Sequence, residues 1–269
     1  MKLGSESLNM LDEVTRKSII EIVKTGNRPD GRSFDEMRSI EITPRAVPYA
    51  AGSSLVKLGK TMVLAGVKLD AGKPYPDTPN QGTLMVNVEL LPLASPEYEY
   101  GAPGPFPVGL ARTVDRGIRS AEIVELEKLC IEPELSWNVF VDIDILNNDG
   151  NLVDACSIAA MSALMNARIP KFDSEKKQNV PLEFTGPLPL KGIVTTSTWA
   201  KIAGKLVRDP NADEETAMEG YVSISVSENN VCAMQKNGSA VLKKSELDML
   251  IDKSFENADK LNSLLKKSV

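Results

Sequence analysis

From Ile40 to Leu69 apolar and polar residues alternate, and the run pauses at Gly52, Gly59 and Gly66. A period of two suits a pleated strand with one buried face and does not suit a helix, whose faces repeat about every 3.6 residues. Ser54-Leu55-Val56-Lys57-Leu58 and Thr61-Met62-Val63-Leu64-Ala65 therefore read as two strands, with Gly59-Lys60 as the hairpin turn between them. Any fold this chain adopts has to be built around that antiparallel pair.

The flanking patterns show what packs on it. Upstream, Leu8, Leu11, Val14, Ile19, Ile22 and Val23 recur at helical spacing, with Ser7 as a cap and Gly26 as a stop. Asn27-Arg28-Pro29-Asp30-Gly31-Arg32 follows as a tight polar turn. Downstream, Val86 to Leu91 reads as a strand between two stretches rich in proline and glycine, 71–82 and 95–108, which read as surface loops. A long helix is expected from Val108 to about Leu129. A strand follows from Val139 to Leu146, then a turn at 147–151 and a second helix from Leu152 to about Ala167.

Residues 171–191, with Lys176-Lys177, Pro181, Pro187 and Pro189, read as a connector. Strands near 193–200, 201–207, 222–226 and 231–236 and a helix from about Lys243 to Leu265 complete the chain. The order predicts an α+β fold, two β-α halves with mostly antiparallel sheets and helices grouped to one side. The expected divisions are an N-terminal helix at 1–26, a first half at 27–170, the connector at 171–191 and a second half at 192–269.

Composition removes whole classes of chemistry. The chain of 269 residues has no histidine, which excludes serine and cysteine triads and every histidine-containing metal site. Cys130, Cys156 and Cys232 are too far apart for a zinc knuckle and odd in number; each sits among apolar neighbours and is expected to pack in the core. No apolar run reaches the roughly 20 residues of a membrane span, and the first residues carry no apolar leader, so a soluble, intracellular protein without membrane partner is expected. A net charge of −6 argues against a general nucleic-acid coat but leaves room for a local basic stripe.

Three stretches carry possible chemistry. Arg112, Arg116 and Arg119 fall at i, i+4 and i+7, so one helix face presents three guanidinium groups, forks that match phosphate oxygens. The alternative is an exposed face neutralised by Asp115 and Glu122. The adjoining loop from Pro74 to Ala111 has no Lys or Arg, which makes the stripe stand out. Asn148-Asp149-Gly150-Asn151 leads into the helix at Leu152, either as an anion site at a helix start or as a cap supplied by Asp149 or Asn151. From Asp209 to Glu219 the chain carries five carboxylates, which either hold a metal or supply a general acid, or line a solvated hairpin loop.

Taken in order, Arg28-Pro29-Asp30-Gly31-Arg32, the Gly52/Gly59-spaced strands, the Arg112–Arg119 helix, the Asp144-to-Ala163 strand–turn–helix and the Asp209 turn resemble RNase PH-like proteins. The resemblance runs from about residue 27 to 258. The stretch Asp149-Gly150-Asn151-Leu152-Val153-Asp154-Ala155 is most similar to the non-catalytic RNase PH-like subunit type of archaeal exosomes.

That resemblance implies a fold of paired β-α units like ribosomal protein S5 domain 2. It also implies a cytoplasmic six-membered ring in which three copies alternate with three catalytic RNase PH-like partners. Single-stranded RNA would thread its channel and RNA-binding cap subunits would sit on one face. Active relatives cleave the 3′-terminal linkage with inorganic phosphate, held by a hydroxyl-bearing residue followed by arginine at the start of the second helix. Anchored on Ala155, those two positions are Leu152 and Val153 here, a degenerate phosphate site. Neither side chain donates a hydrogen bond, and each charge-assisted bond lost to an anion is worth about 1.5–3 kcal/mol.

By the same resemblance Arg112 and Arg116 contact the RNA backbone, with Arg119 a weaker third, and either Asp213 or Glu215 stands at the general-acid position. The expected function is a structural and RNA-binding ring subunit, inactive alone, with no catalytic residues, metal or cofactor of its own, that shapes its partner's active site. The alternatives are an active phosphate-dependent 3′-to-5′ exoribonuclease and an acidic adaptor that never touches RNA.

Overall fold

The computed structural model describes residues 5–173, 175 and 178–268, with side chains among them except at 5–12 and 181. The expected roles of Ser7, Leu8, Leu11, Lys176, Lys177 and the Pro181 ring lie outside what is described. The elements run α1 (Ser5–Lys24), β1 (Ile40–Pro44), β2 (Gly52–Leu58), β3 (Thr61–Gly72), β4 (Thr83–Leu90) and α2 (Pro105–Ser120). A 3₁₀ turn (Leu126–Leu129) precedes β5 (Cys130–Glu132), β6 (Leu135–Asn147), α3 (Leu152–Met165), β7 (Arg168–Asp173) and β8 (Gln178–Pro187). The second half holds β9 (Val194–Ile202), β10 (Lys205–Arg208), α4 (Ala212–Ala217), β11 (Gly220–Ser227), β12 (Asn230–Gly238) and α5 (Lys244–Ser268).

The hairpin forms as its alternation dictates. β2 and β3 pair antiparallel from Leu58 opposite Thr61 back to Gly52 opposite Val67, and Gly59 takes a φ of +59° in the turn. β3 then pairs with β6, giving the order β1-β2-β3-β6-β4; β4 joins β6 in parallel, and the other pairings are antiparallel. Val63, Ala65, Val67 and Leu69 of β3 and Val139, Val141, Ile143 and Ile145 of β6 bury one face of this sheet under α2 and α3. The approach is close: a Cβ on Gly52 would lie 2.4 Å from the Ala163 carbonyl oxygen of α3.

The second sheet runs β10-β9-β11-β12. Its central strand β9 is buried on both sides, with Trp199 packing toward Leu250 and Ala258 of α5. On the opposite side Asp154 of α3 bonds Thr198. α3 is thus enclosed between the two sheets, and its side chains from Leu152 to Ala160 are nearly all buried. The architecture is α+β with mostly antiparallel sheets.

Several expectations are corrected. The helix from 108 starts earlier and ends at Ser120, because Glu122 takes a left-handed φ of 48°. That turn carries Ile123 and Val124 into the core and lets Val124 bridge to Leu190. Residues 171–191 contain paired strands, β7 with β8. Of the three cysteines only Cys156 is buried; Cys130 is exposed and Cys232 intermediate, since β5 and β12 turn those side chains outward. The stretch after Asp209 is no solvated hairpin loop: Asn211 and Glu214 form a capping box that starts α4.

Candidate functional site

Arginines from the segment ahead of β1 hold the Asp209 turn against the start of α3. Arg28 grips Glu214 through Nε–Oε1 at 2.8 Å and Nη2–Oε2 at 2.6 Å and donates to the carbonyls of Arg208 and Asp209. Arg38 forks Asp209 through Nε–Oδ2 at 2.9 Å and Nη2–Oδ1 at 2.8 Å, and donates to the Asp149 and Gly150 carbonyls. Arg32 adds a bond to Asp209 Oδ2 at 3.0 Å. Burial works to raise the Asp209 pKa, but the Arg38 hydrogen bonds and charge outweigh it and hold the carboxyl below its ordinary value. Two of the five acids of the turn are thereby neutralised by arginine, and among the described residues no three His, Cys, Asp or Glu side chains converge as a cation site requires.

The α3 start is shaped by Gly150 and Asn151. Gly150 has a φ of +81°, and a Cβ there would lie 2.5 Å from the Asn211 carbonyl carbon, so only glycine lets the two halves meet. Asn151 is the helix cap: its side chain accepts from the Asp154 N–H and donates to Asp209 Oδ1 at 2.6 Å. Asp154 is enclosed and accepts from the Thr198 N–H at 3.1 Å and hydroxyl at 2.7 Å. Burial pushes its pKa up to about 6, although those hydrogen bonds oppose the rise.

Leu152 and Val153, at 5% and 7% exposure, take the first two helical positions and line a pocket of about 320 Å³. α2 contributes Gly109, Leu110 and Thr113 to it, the Asp209 turn contributes Pro210 and Glu215, and the second sheet contributes Tyr221, Gln235 and Asn237. No Lys or Arg is among its described lining residues. The Asn151 N–H at the helix start is taken by Glu215 Oε1 at 2.8 Å. Burial raises the Glu215 pKa to about 7, against the pull of the Asn151 N–H and Arg38. Asp213 is exposed on the far side of α4 and does not line the pocket. An apolar floor with no cation in its described lining is ill suited to an inorganic anion.

The arginine stripe divides. Arg112 is exposed, and Arg116 is exposed with Nη1 on Gln235 Oε1 at the pocket. Arg119 instead pairs with Asp115 at 2.7 Å and donates to the Leu84 carbonyl at 2.7 Å. Glu122 takes Lys191 rather than an arginine.

Sequence reasoning missed the parts of the site that connect distant segments. Arg38, Asp154 and Thr198 carry no local mark of their partners. The Asn211-x-x-Glu214 spacing was a legible capping signal.

No helix among the described residues is long and apolar enough to cross a membrane. Residues 36–170 match the model of the 3′ exoribonuclease family domain 1 and residues 192–257 that of domain 2. The chain is 44% identical over 260 residues to the exosome complex component Rrp42 of Thermococcus gammatolerans, covering 95% of each, and 42% identical to that of Pyrococcus abyssi at the same coverage. Among solved structures it matches a chain of the Archaeoglobus fulgidus exosome with RNA bound to the active site, with a TM-score of 0.86, 41% identity and coverage of 94% and 98%. A chain of an archaeal exosome core gives a TM-score of 0.86 at 39% identity, with coverage of 97% and 99%. With both family domains matched in order and relatives this similar along almost its full length, the chain belongs to the 3′ exoribonuclease family, the RNase PH family.

Proposed function

We propose that this chain is a structural and RNA-binding subunit of a hexameric exosome ring for 3′-to-5′ RNA degradation. In this reading three copies alternate with three catalytic RNase PH-like subunits in the cytoplasm, and RNA-binding cap subunits sit on one face. The chain alone is inactive, and it completes its partner's active site by presenting Arg112 and Arg116 to the RNA backbone. The likeness to exosome components over nearly the whole chain supports the assembly.

One observation carries the inactivity. Where phosphorolysis needs an anion held in line with the scissile bond, the α3 start offers Leu152 and Val153, and the lining has no described cation. Glu215, not Asp213, faces that pocket and is the carboxyl at the general-acid position in this reading. An acid without a bound phosphate to attack has nothing to assist.

The test mixes the purified chain with oligo-adenylate, inorganic phosphate and Mg²⁺, alone and with its catalytic partner. The expected result is release of nucleoside diphosphates only from the mixture, with a mass matching an alternating ring. Turnover by the chain alone at the rate of the assembled ring overturns the reading and makes it an active phosphorolytic exoribonuclease.

A further inference from the structure

The pocket above Leu152 and Val153 remains open in this chain, and its chemistry differs from that of a phosphate site. Its floor is Leu110, Leu152 and Val153, and Tyr221 supplies an aromatic wall. Asn237 donates through Nδ2 to the Tyr221 hydroxyl at 2.7 Å, which leaves its Oδ1 as the acceptor end. Gln235 accepts from Arg116 through Oε1, which leaves its Nε2 as the donor end. At about 320 Å³ the volume sits at the small end for organic ligands. A flat ring system with polar edges fits an apolar floor, an aromatic wall and one donor beside one acceptor.

The cations lie just outside. Gly109 and Thr113 of α2 line the pocket, while Arg112 and Arg116 are exposed within one turn of them on the same helix. From this juxtaposition we propose that the pocket takes the neutral base of one nucleotide of single-stranded RNA while Arg112 and Arg116 hold the neighbouring phosphates. The inference rests on the reading of this chain as an RNA-contacting subunit and adds to the backbone contacts of Arg112 and Arg116 a place for one base.

The experiment is equilibrium binding by the full-length chain without phosphate or Mg²⁺, so that turnover plays no part. The probes are oligo-adenylate and an abasic ribose-phosphate oligomer of the same length, which carry equal charge. The chain is expected to bind oligo-adenylate about 10-fold more tightly than the abasic oligomer. Gly109→Leu fills the pocket from α2, where a Cβ meets nothing within 4 Å, and is expected to erase that preference while leaving the salt dependence of binding unchanged. Asn237→Leu, at an exposed strand position whose amide bonds the Tyr221 hydroxyl, is expected to reduce the preference about 3-fold and checks the result independently of α2. Equal affinity of the unaltered chain for both oligomers overturns the proposal, as does a preference that survives both substitutions. None of these outcomes bears on whether the chain turns over RNA by itself, which the activity test decides separately.

Discussion

Arg28 and Glu214 lie 186 positions apart in the chain and form a two-bond ion pair with both side chains fully buried. The pair fastens the turn after α1 to α4, across the line between the two halves. Such a pair is a poor source of net stability but costly to break on one side, because the surviving charge stays buried. Arg28→Ala is expected to lower unfolding stability by about 3–5 kcal/mol. Arg28→Met combined with Glu214→Leu is expected to recover most of the loss, as urea unfolding will measure. A single variant as stable as the parent removes the pair from the account.

Two buried acids set the response to pH. Asp154 and Glu215 have folded pKa values raised to about 6 and about 7, chiefly by burial. A raised acid holds its proton more tightly when folded. Its contribution is therefore full below the unfolded value near 4 and declines as pH rises to the folded value. Asp209 is shifted the other way, so its contribution is present above the unfolded value and is lost only in stronger acid. The thermal midpoint is expected to fall between about pH 4 and about pH 7, and Glu215→Gln is expected to flatten part of that fall. A midpoint independent of pH across the window contradicts the assignment.

Gly150 and Gly109 make a matched contrast. Gly150→Ala places a Cβ into the Asn211 backbone at a φ of +81°, and is expected to cost about 2–3 kcal/mol from left-handed strain and overlap together. Gly109→Ala adds a methyl in open space inside α2 and is expected to be neutral or to stabilise by up to about 1 kcal/mol. Denaturant midpoints of the two variants should move in opposite directions or differ by that gap.

The β2–β3 hairpin was legible because its period of two extends along both strands and the turn has glycine where positive φ is required. The buried face of β6 was legible for the same reason. The end of α2 was not, since Ile123 and Val124 continue an apolar spacing while Glu122 breaks the backbone away from the helix. The Asp209 turn reads as solvated acid in isolation because its neutralising partners, Arg28, Arg32 and Arg38, arrive from far upstream. Local pattern fixes which face is apolar, and it carries no record of which distant charge completes a buried carboxyl.

The same limit applies to the arginine stripe, where a shared helix face hides unequal company. Arg119 is tied to Asp115 and the Leu84 carbonyl, so its donors face its own fold. Arg112 and Arg116 are exposed beside the pocket, and each phosphate they contact would release condensed counterions from the strand. With a single-strand slope near 0.7 per contact, Arg112→Ala combined with Arg116→Ala is expected to flatten the plot of log affinity against log salt by about 1.4. Arg119→Ala is expected to leave that slope unchanged and to lower stability by less than about 1 kcal/mol, as for a half-exposed ion pair. Binding of oligo-adenylate to the ring, followed from low to moderate salt, distinguishes the two variants. If all three arginines flatten the slope alike, the stripe acts as one surface; if none does, RNA does not pass along this helix and the adaptor reading gains ground.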